Sequence, residues 1–484
     1  QIAALERTLA TRAAGNDGGL ARVGADIARL REAQAVIAQE IRRRFPAYAE
    51  LVAPQPLDAT RARRHLRADE ALIATRAAQD RLYVWALRKE GPLAFAAVDL
   101  GRQELTRQIE TLRAGVTPKG DKLGDIPPFD LALAHRLYRE ILAPVEAGWK
   151  GARKVMVAPD GPLGSLPLAM LVTREAPMPR DSDFAFSGYR SVPWLIREVG
   201  ITQLPSVASL AVLDAVPRAG AVRKPFIGFG NPRFAPGAPP PQSTQIAFRA
   251  VRVTPKLESI DAGDERPRSV AALAPLADTA AELRAIAATL GADPAADVFL
   301  DEAANERRVR DMRLDDRRVV AFATHGLVPG DIAGLAEPAL ALSPGESGGQ
   351  GDGLLTMTEI AGLKLDADWV VLSACNTAAA GGAGGEAVSG LGRAFFYAGA
   401  RAVLVSHWPV ESSSATRLTT TLFRRLAADA TLGRSRALRG ALLELIESGA
   451  HADPASGRPL YSYAHPIFWA PFVLVGHGRG GADG

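Results

Sequence analysis

The amino-acid sequence predicts an α/β protein whose mainly parallel sheet is sandwiched between helices, and three observations carry that expectation. Residues 319–328 (VVAFATHGLV) and 369–377 (WVVLSACNT) are short apolar, largely β-branched runs that end in a polar residue followed by small ones. Such runs read as strands buried on both faces, the mark of a parallel sheet. Between them Thr356-Met357-Thr358-Glu359 has the form of a capping box opening a short helix that carries Ile360 and Leu363. Strand, crossover helix and strand form a βαβ unit, whose parallel strands end at one edge roughly 5 to 10 Å apart.

The elements follow in order. Residues 1–48 read as helices, with Leu20, Val23, Ile27 and Leu30, then Ala33, Val36, Ile37 and Ile41, at three- and four-residue spacing. Two readings stand: a helical hairpin packed on the next domain, or the end of a helical-repeat array. So short a stretch cannot display a repeat period. The pattern is already running at Ile2, Leu5 and Leu9 and the chain opens on Gln1, so further upstream sequence is expected.

Residues 49–222 read as an α/β half without catalytic groups and as a packing partner for a second sheet. Strands are expected at 71–75, 82–87, 93–98 and 154–158, helices at 102–113 and 129–142, with Pro144 and Asp160-Gly161-Pro162 as breakers. Residues 174–200 and 231–269 are polar and Pro-rich and read as long loops or linkers. Residues 223–484 form the second unit. Helices are expected at 277–290, 305–312, 388–397 (closed by Gly399), 416–426 and 434–447, and strands at 298–300, 402–406 and 472–475 around the two central runs.

Composition narrows the function. The 484 residues are 47% hydrophobic and 23% charged, with 57 basic residues interspersed among 53 acidic ones and a net charge of +4. No concentrated basic, aromatic-interleaved patch appears, so nucleic acid is not expected as a direct ligand. No signal peptide and no apolar run of about 18 residues occurs, so no membrane partner and a cytoplasmic home are expected. Gly228-Phe229-Gly230 after a strand lacks the third glycine of a nucleotide loop, and no Gly-Lys-Ser/Thr occurs.

Cys375 is the only cysteine, and His325 stands fifty residues upstream (375 − 325). Both fall where a strand stops, at the carboxyl edge where open α/β sheets do their chemistry. Thiol and imidazole suffice as a nucleophilic pair. The plain alternatives are a small buried hydrophobe for Cys375 and a backbone-bonded core histidine for His325. His451, His465 and His477 are scattered near loops, and neither metal nor cofactor is expected.

These residues resemble the caspase-like (clan CD type) cysteine peptidases, and more closely the CHAT group of bacterial caspase-like domains. The resemblance rests on FATHG (322–326), DGLLTMTEI (352–360), VVLSACNT (370–377), the glycine loop ending in Gly385-Glu386, GLGRAFFYAGA (390–400), VLVSHWPV (403–410) and FWAPFVLVG (468–476). Upstream, FPAYAELVAP (45–54) and VMVAPDGPLGSLPLAML (155–171) are similar as well. The resemblance implies a caspase-like fold and a cysteine endopeptidase for specific protein targets, activated by a partner protein or an upstream repeat region, in bacterial signalling, defence or cell death. Its alternative is a non-proteolytic scaffold or interaction module.

In that chemistry Cys375 attacks the peptide carbonyl while His325 takes and returns the proton. The backbone N–H groups of Gly326 and Cys375 hold the oxyanion. The residue two before the nucleophile helps line the specificity pocket in the family, a Gln working with arginines to accept Asp in animal caspases and an Asp that accepts Arg or Lys in metacaspases. Here it is Ser373, and cleavage after Asp is not expected. Asp352 and Glu386 are candidates for an acidic pocket floor, against the alternative of solvated loop carboxylates. The strand with Ser406, His407 and Trp408 is expected to pair its backbone with an extended substrate; His407 stands where the family commonly has an apolar residue, which suits a structural or substrate-lining role.

Overall fold

In the computed structural model the chain divides into two compact units, residues 1–56 and 57–484. The structure describes residues 57–484 apart from 119, 121, 216–222, 235–269, 277, 333, 346–350, 374–389, 430, 454–455, 477 and 480–484. In the first unit it describes Ala25, Ala28, Arg29, Glu32 and Val36, all helical and exposed. The rest of the expected 1–48 pattern lies outside the described residues.

The second unit is built on one sheet. Its strands are β1 (Glu70–Ala77), β2 (Leu82–Arg88), β3 (Leu93–Val98), β4 (Lys154–Ala158), β5 (Gly200–Gln203), β6 (Lys224–Gly230), β7 (Val298–Leu300) and β8 (Arg317–Ala323). A small side sheet uses β9 (Gly326–Leu327), β10 (Ala339–Ala341) and β11 (Leu354–Thr356). The main sheet continues with β12 (Trp369–Leu372) and β13 (Ala402–Ser406); β14 (Ala450–Ala452) and β15 (Pro459–Ser462) form a separate ribbon, and β16 (Phe472–Gly476) returns to the main sheet. The eleven strands run in the order β3-β2-β1-β4-β5-β16-β13-β12-β8-β6-β7. Antiparallel pairing is confined to β1–β2, β2–β3 and β13–β16, so the expected mainly parallel sheet is present.

The principal helices are α1 (Arg102–Ala114), α2 (Leu131–Ile141), α3 (Asp278–Leu290), α4 (Glu306–Asp311), α5 (Met357–Ala361), α6 (Gly390–Ala398), α7 (Ser412–Ala428) and α8 (Arg434–Ser448). Their starts follow from local chemistry. Asp130, Asn305 and Glu411 each accept a backbone N–H of the first turn. The Thr356/Glu359 capping box is reciprocal, with Glu359 N donating to Thr356 Oγ1 at 3.3 Å and Thr356 N to Glu359 Oε2 at 2.9 Å. Alternate positions Trp369, Val371, Ala402, Leu404, Phe472 and Leu474 join the large core shared with α3, α7 and α8. Among the described residues no helix is long and apolar enough to cross a membrane.

Two expectations need correction. Residues 49–222 do not form a separate layer packed on a second sheet: β16 runs antiparallel to β13 and offers its other edge to β5, where Val475 registers with Gln203. Residues 174–200 are not a loose linker either. Tyr189, Val192 and Trp194 are buried, the Tyr189 hydroxyl accepts Phe129 N at 3.0 Å, and Trp194 packs edge-on against Phe129 and Trp469. Aromatic anchors outweigh the segment's polar composition.

Candidate active site

The candidate histidine is held by three elements. After β8 ends, the Thr324 hydroxyl donates to the Ala341 carbonyl, and Ala341 N donates to the His325 carbonyl at 2.9 Å. Gly326 and Leu327 then enter the side sheet opposite Leu340 and Ala339. His325 is fully buried, and its ring lies 5.5 Å from that of Phe234. Phe234, Val270, Leu273, Leu327 and Ile332 form a satellite apolar cluster around this end of the strand.

His325 Nε2 lies 2.8 Å from the carbonyl oxygen of Ala274. A carbonyl can only accept, so Nε2 carries the proton and the lone pair of the neutral ring sits on Nδ1. Ala274 is 51 residues away in sequence, between a 3-10 turn (Val270–Ala272) and Pro275.

The neighbouring strand end is pinned from below. Phe322 registers with Leu372, and Ser373 N donates to the Phe322 carbonyl at 2.9 Å. The Ser373 hydroxyl is buried and donates to Glu282 Oε2 of α3 at 3.3 Å, while Thr419 of α7 donates to Glu282 Oε1 at 3.0 Å. Glu282 is fully buried. The sequence reading missed it, although a carboxylate in line with Thr279 and Ile286 on an apolar stripe was a visible signal.

Asp352 is exposed and caps its own turn, accepting Leu354 N at 2.9 Å. Its loop is tied to α4 by Glu306, which accepts Gly353 N at 2.7 Å; burial raises the Glu306 pKa, and the Gly353 hydrogen bond opposes that. Cys375 and Glu386 lie outside the described residues.

The expectation for Ser406, His407 and Trp408 is corrected. β13 lies inside the sheet between β12 and β16, with Ser406 registered on Phe472. His407 N donates to the Pro471 carbonyl at 3.0 Å and its carbonyl accepts from Arg113 at 3.0 Å. The Trp408 indole donates to the Ile467 carbonyl at 3.1 Å. All three side chains are buried, and the β16-facing edge is taken up through Ser406, so that edge is not offered to a substrate. The His407 ring nitrogens have no hydrogen-bond partner among the described residues. Burial, helped by the Arg113 charge, lowers its pKa to about 3.

Comparison with known proteins adds the following. The chain is similar to separase in the separase–securin complex of Saccharomyces cerevisiae, at 11% identity and a TM-score of 0.46, over 89–91% of this chain but 30–31% of that one. It is also similar to the Porphyromonas gingivalis RgpB pro- and mature-domain complex (9% identity, TM-score 0.36, 76% of this chain and 71% of that one). The Arg-specific cysteine proteinase gingipain R resembles it at 10% identity and a TM-score of 0.34, over 78% of this chain and 74% of that one. No curated protein sequence matches. The family model described as CHAT domain matches residues 131–477, well over half of the 484 residues, and the chain therefore belongs to the CHAT domain family.

Proposed function

We propose that the chain is a caspase-like cysteine endopeptidase that cuts specific protein targets in the bacterial cytoplasm through a His325–Cys375 dyad. One observation carries the reading. β8 and β12 are parallel neighbours with Phe322 opposite Leu372, and His325 and Cys375 each follow those partners by three residues. The carboxyl ends of the two strands therefore lie side by side, which supports a dyad between the residues that follow them.

The tautomer suits the chemistry. With Nε2–H held by the Ala274 carbonyl, Nδ1 takes the thiol proton as sulfur attacks the scissile carbonyl, and the Ala274 dipole stabilises the imidazolium. Nδ1 then protonates the leaving amine, and water attacks the thioester to regenerate the thiol. In the β9–β10 ladder His325 makes a backbone hydrogen bond to Ala341, so alternation turns the Gly326 N–H to the other side, as an oxyanion donor requires. The Cys375 N–H is the second donor in this reading, and Ser373, Asp352 and Glu386 bear on specificity, Ser373 through Glu282. A partner protein or the upstream region supplies activation.

The scaffold reading has one observation in its favour, the burial of His325, Ser373, Ser406, His407 and Trp408. Profiling a proteome-derived peptide library with the wild-type chain, Cys375→Ala and His325→Ala separates the two. The peptidase reading expects cleavages that both variants lose; cuts that persist in either variant contradict the dyad.

A further inference from the structure

The two edges of the main sheet are finished differently. β7, at one end, is only three residues long, one of the ways proteins blunt a sheet edge. β3, at the other, has six residues, LAFAAV, without a charge, a proline or a register break. Its outward row is apolar: Leu93 is 46% and Phe95 53% exposed. Phe95 extends an aromatic ladder across β2, lying 5.4 Å from Trp85 and stacked at 6.3 Å on Tyr83. An uncharged edge that is unpaired among the described residues, beside an aromatic strip, is a surface for another strand.

We propose that this edge pairs with β3 of a second copy of the chain, antiparallel about a two-fold axis at Phe95. The register sets Leu93 against Ala97, Ala94 against Ala96 and Phe95 against its own counterpart. A shift by one residue would turn the exposed row onto the covered one. Charge agrees with this partner. The Asp99 side chain, 88% exposed beyond a 3.4 Å contact with Arg81, falls opposite Gly91 of the other copy, in a turn whose exposed Lys89 and Glu90 cancel in charge. The two-fold repeats that pairing at both ends, and no like charges face each other within residues 91–99. A single strand a side is small beside the about 800 Å² per partner of a standard interface, so the dimer is weak and grows when copies are concentrated. The inference stands apart from the peptidase reading.

Sedimentation velocity between about 1 and 100 μM tests it, the range a small interface implies. The wild-type coefficient should rise with concentration, and Phe95→Lys should weaken the dimer at least about tenfold, as loss of a central aromatic anchor does, at unchanged melting temperature. On a Cys375→Ala background, Phe95→Cys should form a covalent dimer under mild oxidation faster than Glu90→Cys. A chain monomeric throughout would assign the edge to an extended segment of a different protein and overturn the proposal. A dimer indifferent to Phe95→Lys, or equal cross-linking at both positions, would overturn it as well.

Discussion

Burial holds both His407 and His465 neutral, lowering each imidazole from 6.5 to about 3; the Arg113 charge adds to this at His407, and the Pro127 carbonyl opposes it at His465. The unfolded chain takes up protons at both sites as pH falls below about 6.5, while the native state refuses them until about pH 3. Stability is therefore lost across that window on acidification, by about 2 kcal/mol per histidine at pH 5. In urea unfolding, the stability of His407→Leu relative to wild type should rise by about 2 kcal/mol between pH 8 and pH 5; a constant difference would contradict the buried neutral ring. Glu282 gives a second residue-scale prediction. Glu282→Ala removes the buried acceptor that Ser373 and Thr419 share and should cost about 1 to 3 kcal/mol, whereas Glu282→Gln, which keeps an acceptor, should cost less in the same denaturation assay. His325 was legible in the sequence because its strand-end setting is local. Its orienting carbonyl was not, since Ala274 has no side-chain signature and reaches the ring only through the fold.

Elements were legible where apolar runs and caps coincide. The strands at 154–158, 298–300 and 402–406 and the helix opening at Thr356 have the bounds that their residues imply. Neighbour relations were legible only where a crossover helix implied them, as between β8 and β12; elsewhere a run of Ala, Val and Leu states that a strand is buried without stating what lies beside it. That is why β13 was expected to offer an edge and is instead enclosed. Gly399 closes α6 with φ +114°, and a Cβ there would strike the Leu365 carbonyl. Gly399→Ala should therefore destabilise the protein by more than about 1 kcal/mol, read as a lower thermal midpoint; an unchanged midpoint would mean that the α6–β13 turn is not held in this conformation.

At the scale of the whole molecule, one sheet carries strands from both ends of the described chain, and a buried ion network ties them. Beyond β16, Arg479 donates to Glu70 of β1 at 2.8 and 3.0 Å and to Asp214 at 2.6 Å, and Lys154 of β4 pairs with Glu70 as well. Burial alone raises the Glu70 pKa, but the hydrogen bonds and charges of Arg479 and Lys154 outweigh it and hold the group at about 2. Arg479→Met should cost about 2 to 4 kcal/mol in chemical denaturation, because the buried Glu70 is left with Lys154 alone to pair its charge; a loss under about 1 kcal/mol would contradict the network. The same sheet brings β8 beside β12, and the functional account depends on that adjacency. Cys375 is the only cysteine, so iodoacetamide uptake by the intact chain reports that one thiol. The account predicts that wild-type alkylation at pH 6 exceeds that of an ordinary thiol, whose pKa is near 8.5, by at least about tenfold, and that His325→Ala abolishes the excess. A pH–rate profile of an ordinary thiol, unchanged by His325→Ala, would contradict it.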